Sequence, residues 1–181
     1  MYDNILDVAE KLFMQQGYQA TSTRQIADTL GITQPNLYYY FKKKEEIYYH
    51  VMLRLATEVS ANLERMSSNN EQSFEEKIRN MVYYLQQRHP FNLFMMLHDI
   101  QHTLSPDIAD KLFVLWTTSY KKPFIELLKG SKLHLRSTID PEFAVSQLFI
   151  SISSYFHAPQ KEGQIDRAID LFLYGIWDES N

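Results

Sequence analysis

The sequence contains no cysteine, and its 181 residues include only five glycines and six prolines. The missing cysteine excludes a disulfide framework and thiolate metal sites, and it fits a reducing compartment. Chain breakers this sparse, with only short β-branched runs, argue against an all-β sandwich. No stretch approaches the roughly 18 uninterrupted apolar residues of a membrane span. The start, Met1-Tyr2-Asp3-Asn4, has neither the basic region nor the apolar core of a secretory signal. A soluble cytoplasmic protein is expected. Positive charge is not in excess either. The formal net charge is −4, which by itself argues against a nucleic-acid partner. The sign is uneven, however. Residues 1–55 hold six basic and six acidic side chains, and three of the basic ones are Lys42, Lys43 and Lys44. Local placement therefore decides the question.

What is present is a 45% hydrophobic content, enough for one domain or two small ones on a continuous helical body. In residues 3–16, Ile5, Val8, Ala9, Leu12 and Phe13 recur at helical spacing, and Gly17 follows as a stop. Ser22 with Gln25 makes a capping box for a short helix that Gly31 ends. Thr33 caps a third helix with Pro35 in its first turn, where the missing N–H costs nothing. A longer helix is predicted from Lys44 to about Met66, followed by the polar loop 67–72. Ser73 can cap a helix to about His89, where Pro90 interrupts. Residues 91–102 read as helical, and Ser105-Pro106 opens a helix to about Lys129. Asp140-Pro141-Glu142 starts an apolar helix, and a last one covers Ile165 to Trp177. The expected fold class is all-α, with eight or nine helices.

Residues 23–37 have helix-turn-helix spacing. Ala27 is small where two helices cross, Gly31 supplies the positive φ of the sharp turn, and Ile32 and Leu37 pin the second helix. Such a unit projects the start of its second helix, so Gln34, Pro35, Asn36 and Tyr39 form the exposed tip. Gln and Asn amides can pair bidentately with adenine in the major groove, and Pro35 offers apolar contact to a thymine methyl. Thr23 and Thr33, at the starts of the two helices, are also expected among the DNA-contacting residues. Arg24 is placed for a guanine edge or a phosphate, and Tyr38, Tyr40, Lys42 and Lys44 for phosphates. Four successive aromatics, Tyr38 to Phe41, span about 300° of a helix, so at least two are exposed beside three lysines.

On the stretch Ile5 to Val51, and above all Gly31 to Ile47 with its Leu37-Tyr38-Tyr39-Tyr40-Phe41 block and Lys-Glu-Glu entry to the next helix, the chain resembles the DNA-binding domain of the tetracycline-repressor (TetR) family. The resemblance implies a helix-turn-helix domain over residues 1–46 and a ligand-binding and dimerisation domain over 47–181. It also implies a double-stranded DNA operator, a small-molecule effector, a homodimer and repression. Many members carry a basic arm before the first helix. Here Asp3 and Asp7 stand there, so affinity is expected to rest on the helix-turn-helix itself.

Family resemblance places the dimer contact on the last two long helices. Independently, the apolar residues from Phe143 to Phe156, Ile150 among them, wrap more than one face. So do those from Ile169 to Trp177, Leu171 included, and such a helix needs a second partner. The interface candidates are Phe143, Leu148, Phe149, Ile152, Tyr155, Phe156, Phe172 and Ile176. The middle of the chain is rich in methionine and aromatics, and the resemblance implies a largely apolar pocket there. Its candidate lining is Tyr83, Phe94, Met95, His98, His102, Trp116 and Tyr120, with His98, His102, Tyr120 and Glu126 as polar anchors. His98 and His102, four apart with Asp99 adjacent, also permit a metal- or haem-responsive regulator. A DNA-binding architectural or division-control protein without small-molecule release is the other alternative. With no Gly-rich phosphate loop, no cysteine nucleophile and no Ser-His-acid order, and with His134 and His157 isolated, no enzyme is expected. No cofactor or resident metal is expected either.

Overall fold

The computed structural model describes residues 1–88, 98, 101–131, 135–156 and 163–176. Its first helix, α1 (Tyr2–Ala20), breaks at Gly17, whose φ of 82° few other residues adopt. Helix α2 (Thr23–Leu30) opens with the capping box: Ser22 Oγ accepts from the Gln25 N–H at 3.1 Å, and Gln25 Oε1 accepts from the Ser22 N–H at 2.7 Å. Gly31 ends α2 in the left-handed region at φ 66°, ψ 30°. Thr33 caps α3 (Gln34–Tyr40), with Pro35 in its first turn. Helix α4 (Lys44–Ser67) then runs out of this unit and through the rest of the molecule. It packs against α1, α5 (Phe74–Arg88), α6 (Pro106–Leu115) and α7 (Lys122–Gly130). Helices α8 (Pro141–Ser153) and α9 (Gln164–Ile176) pack on each other at the far side. The described residues are helical apart from connections and one isolated bridge at Leu135.

The caps expected at Ser73 and Asp140 form. Ser73 Oγ accepts from the Glu76 N–H at 3.2 Å, and Asp140 Oδ1 accepts from the Phe143 N–H at 2.7 Å. Between Ser105 and Lys129 the chain differs from the single helix expected. Trp116–Lys121 is a π-helical turn between α6 and α7. Pro123 has no N–H to give to the Ser119 carbonyl, and in an α-helix its ring would collide with it. The wider turn relieves that, with the Lys122 N–H reaching back five residues to Thr117 O. Thr117 and Thr118 donate to the carbonyls of Phe113 and Val114 at 2.9 and 2.8 Å, which further opens the helix there.

One continuous core links the two halves. Ile5, Phe13, Ile26, Leu37 and Ile47 are completely buried at the helix-turn-helix end, and Leu55, Val59, Leu63, Ile78 and Phe124 continue the core along α4, α5 and α7. The apolar excess of α8 and α9 is shared between the core of the chain and its surface. Leu148, Phe149, Ile152, Phe156, Phe172 and Ile176 are buried within the chain. The reason is local: Phe149 meets Trp116 at 4.9 Å and Phe124 at 5.3 Å between ring centroids, so the π turn and α7 cover that side of α8. Phe143, Ile150, Leu171 and Tyr174 remain exposed.

Candidate nucleic-acid interface

Three local interactions build the surface around α3. Leu37 and Phe41 are buried and hold α3 down, so the rest of this seven-residue helix faces away from the core. Pro35, Asn36, Tyr38, Tyr39 and Tyr40 are exposed, Tyr39 at 78%, and Gln34 is half-buried. Thr33 Oγ1 accepts from the Asn36 N–H at 3.4 Å, a capping contact rather than a projecting side chain. Thr23, half-buried on α2, faces α3: its hydroxyl lies 3.1 Å from the Tyr38 hydroxyl and accepts from Gln34 Nε2 at 3.4 Å.

The cations around this surface divide into two kinds. Arg24 is 79% exposed and only loosely paired with Asp28 at 3.8 Å. Lys42 is exposed, and Lys43 is 67% exposed with Glu45 at 3.3 Å. Lys44 differs. Its Nζ donates to the carbonyls of Tyr18 and Thr21 at 2.8 and 2.9 Å and lies 4.1 Å from the centre of the Tyr18 ring. It thus closes the end of α1, where unsatisfied carbonyls and the helix dipole favour a cation. The one-dimensional pattern groups Lys44 with its two neighbours, and only the packing of α4 against α1 separates them.

Among the described residues, polar contacts at three places fasten the unit to the remainder of the chain. Glu10 of α1 accepts from Arg54 at 2.7 Å and from Arg88, the last residue of α5, at 2.9 Å. Arg54 also pairs with Asp7, and Arg88 with both oxygens of Glu58. The Glu58 hydrogen bond, with help from Glu10, raises the Arg88 guanidinium further above its ordinary range despite burial. At the second place, Gln19 donates to Thr103 at 3.1 Å. At the third, Glu45 accepts from the Ser105 N–H at 3.1 Å, just before α6. Burial acts to raise the Glu45 carboxyl, but hydrogen bonds from Ser105 and Lys43 outweigh it and hold the group below its usual range.

Among the described residues, the candidate effector residues fall at separate places. Phe94 and Met95 lie outside the described residues. Tyr83 lines an open groove of about 630 Å³ with Arg65, Asn69, Asn80, Tyr84 and Gln87, and its hydroxyl donates to Asp166 of α9 at 2.6 Å. Arg79 pairs with the same carboxylate and with Asp170. Trp116 and Tyr120 are core residues stacked at 5.2 Å, and that groove includes neither. Glu126 is exposed on another groove, of about 500 Å³, beside Phe74 and Lys77. His98 and His102 are both exposed, with ring centroids 4.8 Å apart. Among the described residues no group of three potential metal ligands forms.

On the other end of the molecule, Phe143, Tyr155, Phe172 and Ile176 line a groove of about 740 Å³ between α8 and α9, together with Leu171 and Gly175. Tyr174, exposed on α9 but outside the groove's lining, escaped the sequence reading. Its signal was available in the spacing from Leu171, three residues earlier on the same side of α9.

Residues 5–51 match the family model for bacterial regulatory proteins of the tetR family. Over nearly its whole length the chain has the fold of solved regulators of that family. The TetR-family transcriptional regulator PfmR from Thermus thermophilus is 26% identical, with 94% of this chain and 97% of that one covered and a TM-score of 0.67. A TetR-family regulator from Agrobacterium tumefaciens is 16% identical, with 98% and 97% covered and a TM-score of 0.78. The fatty acid degradation regulator FadR from Bacillus halodurans is 20% identical, with 95% and 94% covered and a TM-score of 0.70. No curated protein matches the chain.

Proposed function

We propose that this chain, a TetR-family transcriptional regulator by its residues 5–51 and by its fold, is a ligand-responsive repressor. In this reading it binds a palindromic operator as a homodimer and is released by a small, largely apolar or aromatic molecule. The observation that carries the reading is the surface of α3. Asn36 and three tyrosines are exposed on a helix fixed by Leu37, beside exposed Arg24, Lys42 and Lys43. Amides meet base edges, while cations and phenols meet phosphates. Two copies joined through Phe143, Ile150, Leu171 and Tyr174 would present two α3 helices to half-sites about 34 Å apart.

Release requires that the effector bind the DNA-incompetent arrangement more tightly than the competent one. The ties at Arg88, Thr103 and Ser105 supply a route for this. They join the end of α5 and the approach to α6 to α1 and α4. Movement at either point therefore acts on the helix-turn-helix unit through direct hydrogen bonds.

The test is selection of bound fragments from the source genome by purified protein at physiological salt. The expected result is a short palindrome, occupied without effector and vacated when a substrate of the adjacent operon is added. Recovery of nothing above background would overturn the DNA-reading assignment. A palindrome that no small molecule from the pathway releases would favour the architectural reading.

A further inference from the structure

The groove of about 630 Å³ between the end of α4 and one face of α5 falls within the size range of small-molecule sites. Asn80, Tyr83, Tyr84 and Gln87 recur along α5 at helical spacing and form one wall. Arg65 and Met66 at the end of α4, with Asn69 just beyond it, form the other. Neither phenol has a proton to offer a ligand. The Tyr83 hydroxyl donates to Asp166 at 2.6 Å, and that of Tyr84 is sealed from solvent beside Asn62 and Glu58. What the two residues present is the surface of their rings. Arg65 is the opposite case. It is exposed, donates from Nη2 to the uncharged Asn62 at 2.8 Å, and forms no ion pair among the described residues. Its planar guanidinium has the fork geometry that a carboxylate meets with two hydrogen bonds.

These walls discriminate among ligands. A hydrocarbon chain would press methylenes against a guanidinium and three amides, stripping their hydration without replacing it. An amine finds no carboxylate in the described lining, and Glu58 and Asp166, next to the two phenols, are already paired with Arg88 and Arg79. A flat ring bearing a carboxylate suits both the ring surfaces and the unpaired cation.

We propose that this groove binds a small aromatic carboxylate, with its acid group held by Arg65 and its ring against Tyr83 and Tyr84. The amides of Asn80 and Gln87 are left for further polar substituents. This narrows the effector class named above; the effector role rests on that ligand-responsive reading, whereas the binding itself does not. The position also bears on two ties at once. Tyr83 holds α9 through Asp166, and Arg88, next to Gln87, holds α1 through Glu10. A ring seated against α5 therefore acts toward both the far helices and the helix-turn-helix unit.

The experiment is calorimetric titration of the full-length protein with benzoate, cinnamate and 2-naphthoate, with cinnamamide as the uncharged counterpart. At least one acid saturates a single site per chain, and cinnamamide binds about tenfold more weakly than cinnamate. Arg65→Gln weakens the acids about tenfold and leaves cinnamamide unchanged. Its side chain is exposed, so the variant folds as the wild type does. Tyr84→Leu weakens acid and amide alike by about two- to tenfold, and Tyr84→Phe, which keeps the ring, weakens neither. No acid binding tighter than about 1 mM, cinnamamide binding as tightly as cinnamate, or full acid affinity in Arg65→Gln would overturn the proposal. Operator affinity with and without the bound acid separates this from the reading beneath it. Acid binding that depends on Arg65 yet leaves operator affinity untouched keeps the site and removes release by this ligand class.

Discussion

Lys44→Met separates a structural lysine from a phosphate-binding one. The Lys44 ammonium makes two charge-assisted hydrogen bonds to the carbonyls that end α1 and lies over the Tyr18 ring. Bonds of this kind contribute about 1.5 to 3 kcal/mol each when buried, but this side chain is half-exposed and water recovers part of the loss. A net loss of about 2 kcal/mol is expected, which lowers the melting temperature by roughly 4 to 8 °C for a chain of this size. DNA binding carries the opposite expectation. The exposed cations beside α3 are Arg24, Lys42 and Lys43. If a dimer places all of them on phosphates, log K falls with log salt concentration at a slope of about −5. Two additional phosphate contacts from Lys44 would steepen the slope to about −7. The assay is thermal unfolding by circular dichroism, paired with fluorescence anisotropy on the selected operator across a salt series. The geometry predicts a large loss of stability and the same slope for Lys44→Met as for the wild type. An unchanged melt with a slope shallower by about two would refute it.

Two further outcomes follow from burial. Leu171→Glu places a charge on an exposed apolar face of α9. In sedimentation it should convert the dimer to monomer, with the monomer's own stability altered by no more than about 0.5 kcal/mol; a dimer of undiminished affinity would contradict the proposed interface. Tyr120 is buried beside Trp116, and burial pushes its phenol well above the ordinary range, so the folded chain favours the protonated form. Its contribution is complete below the unfolded phenol value of about 10 and is lost as pH rises above that. Urea midpoints measured from pH 8 to 11 should fall more steeply for the wild type than for Tyr120→Phe, and parallel curves would contradict the assignment.

The helix-turn-helix was legible in one dimension because its determinants are local. A capping box joins residues three apart, a left-handed glycine closes the same turn, and a proline restricts its own φ. Ser22, Gln25, Gly31, Thr33 and Pro35 therefore act as the sequence suggests. Exposure of Tyr38, Tyr39 and Tyr40 was legible for a similar reason, since four successive aromatics cannot share one face of a helix. Tertiary packing decided everything that depends on which neighbour arrives. It turned Lys44 inward onto α1 and left Lys42 and Lys43 outside. It buried Phe149 and Phe172 and left Ile150 and Leu171 exposed. It tied Glu10 to Arg88 across 78 residues of sequence. Hydrophobicity and charge specify that a side chain must be covered or compensated, but the covering surface comes from distant helices. The local code consequently determined the helix-turn-helix unit, and the assembled bundle decided which of its charges and apolar faces remain exposed.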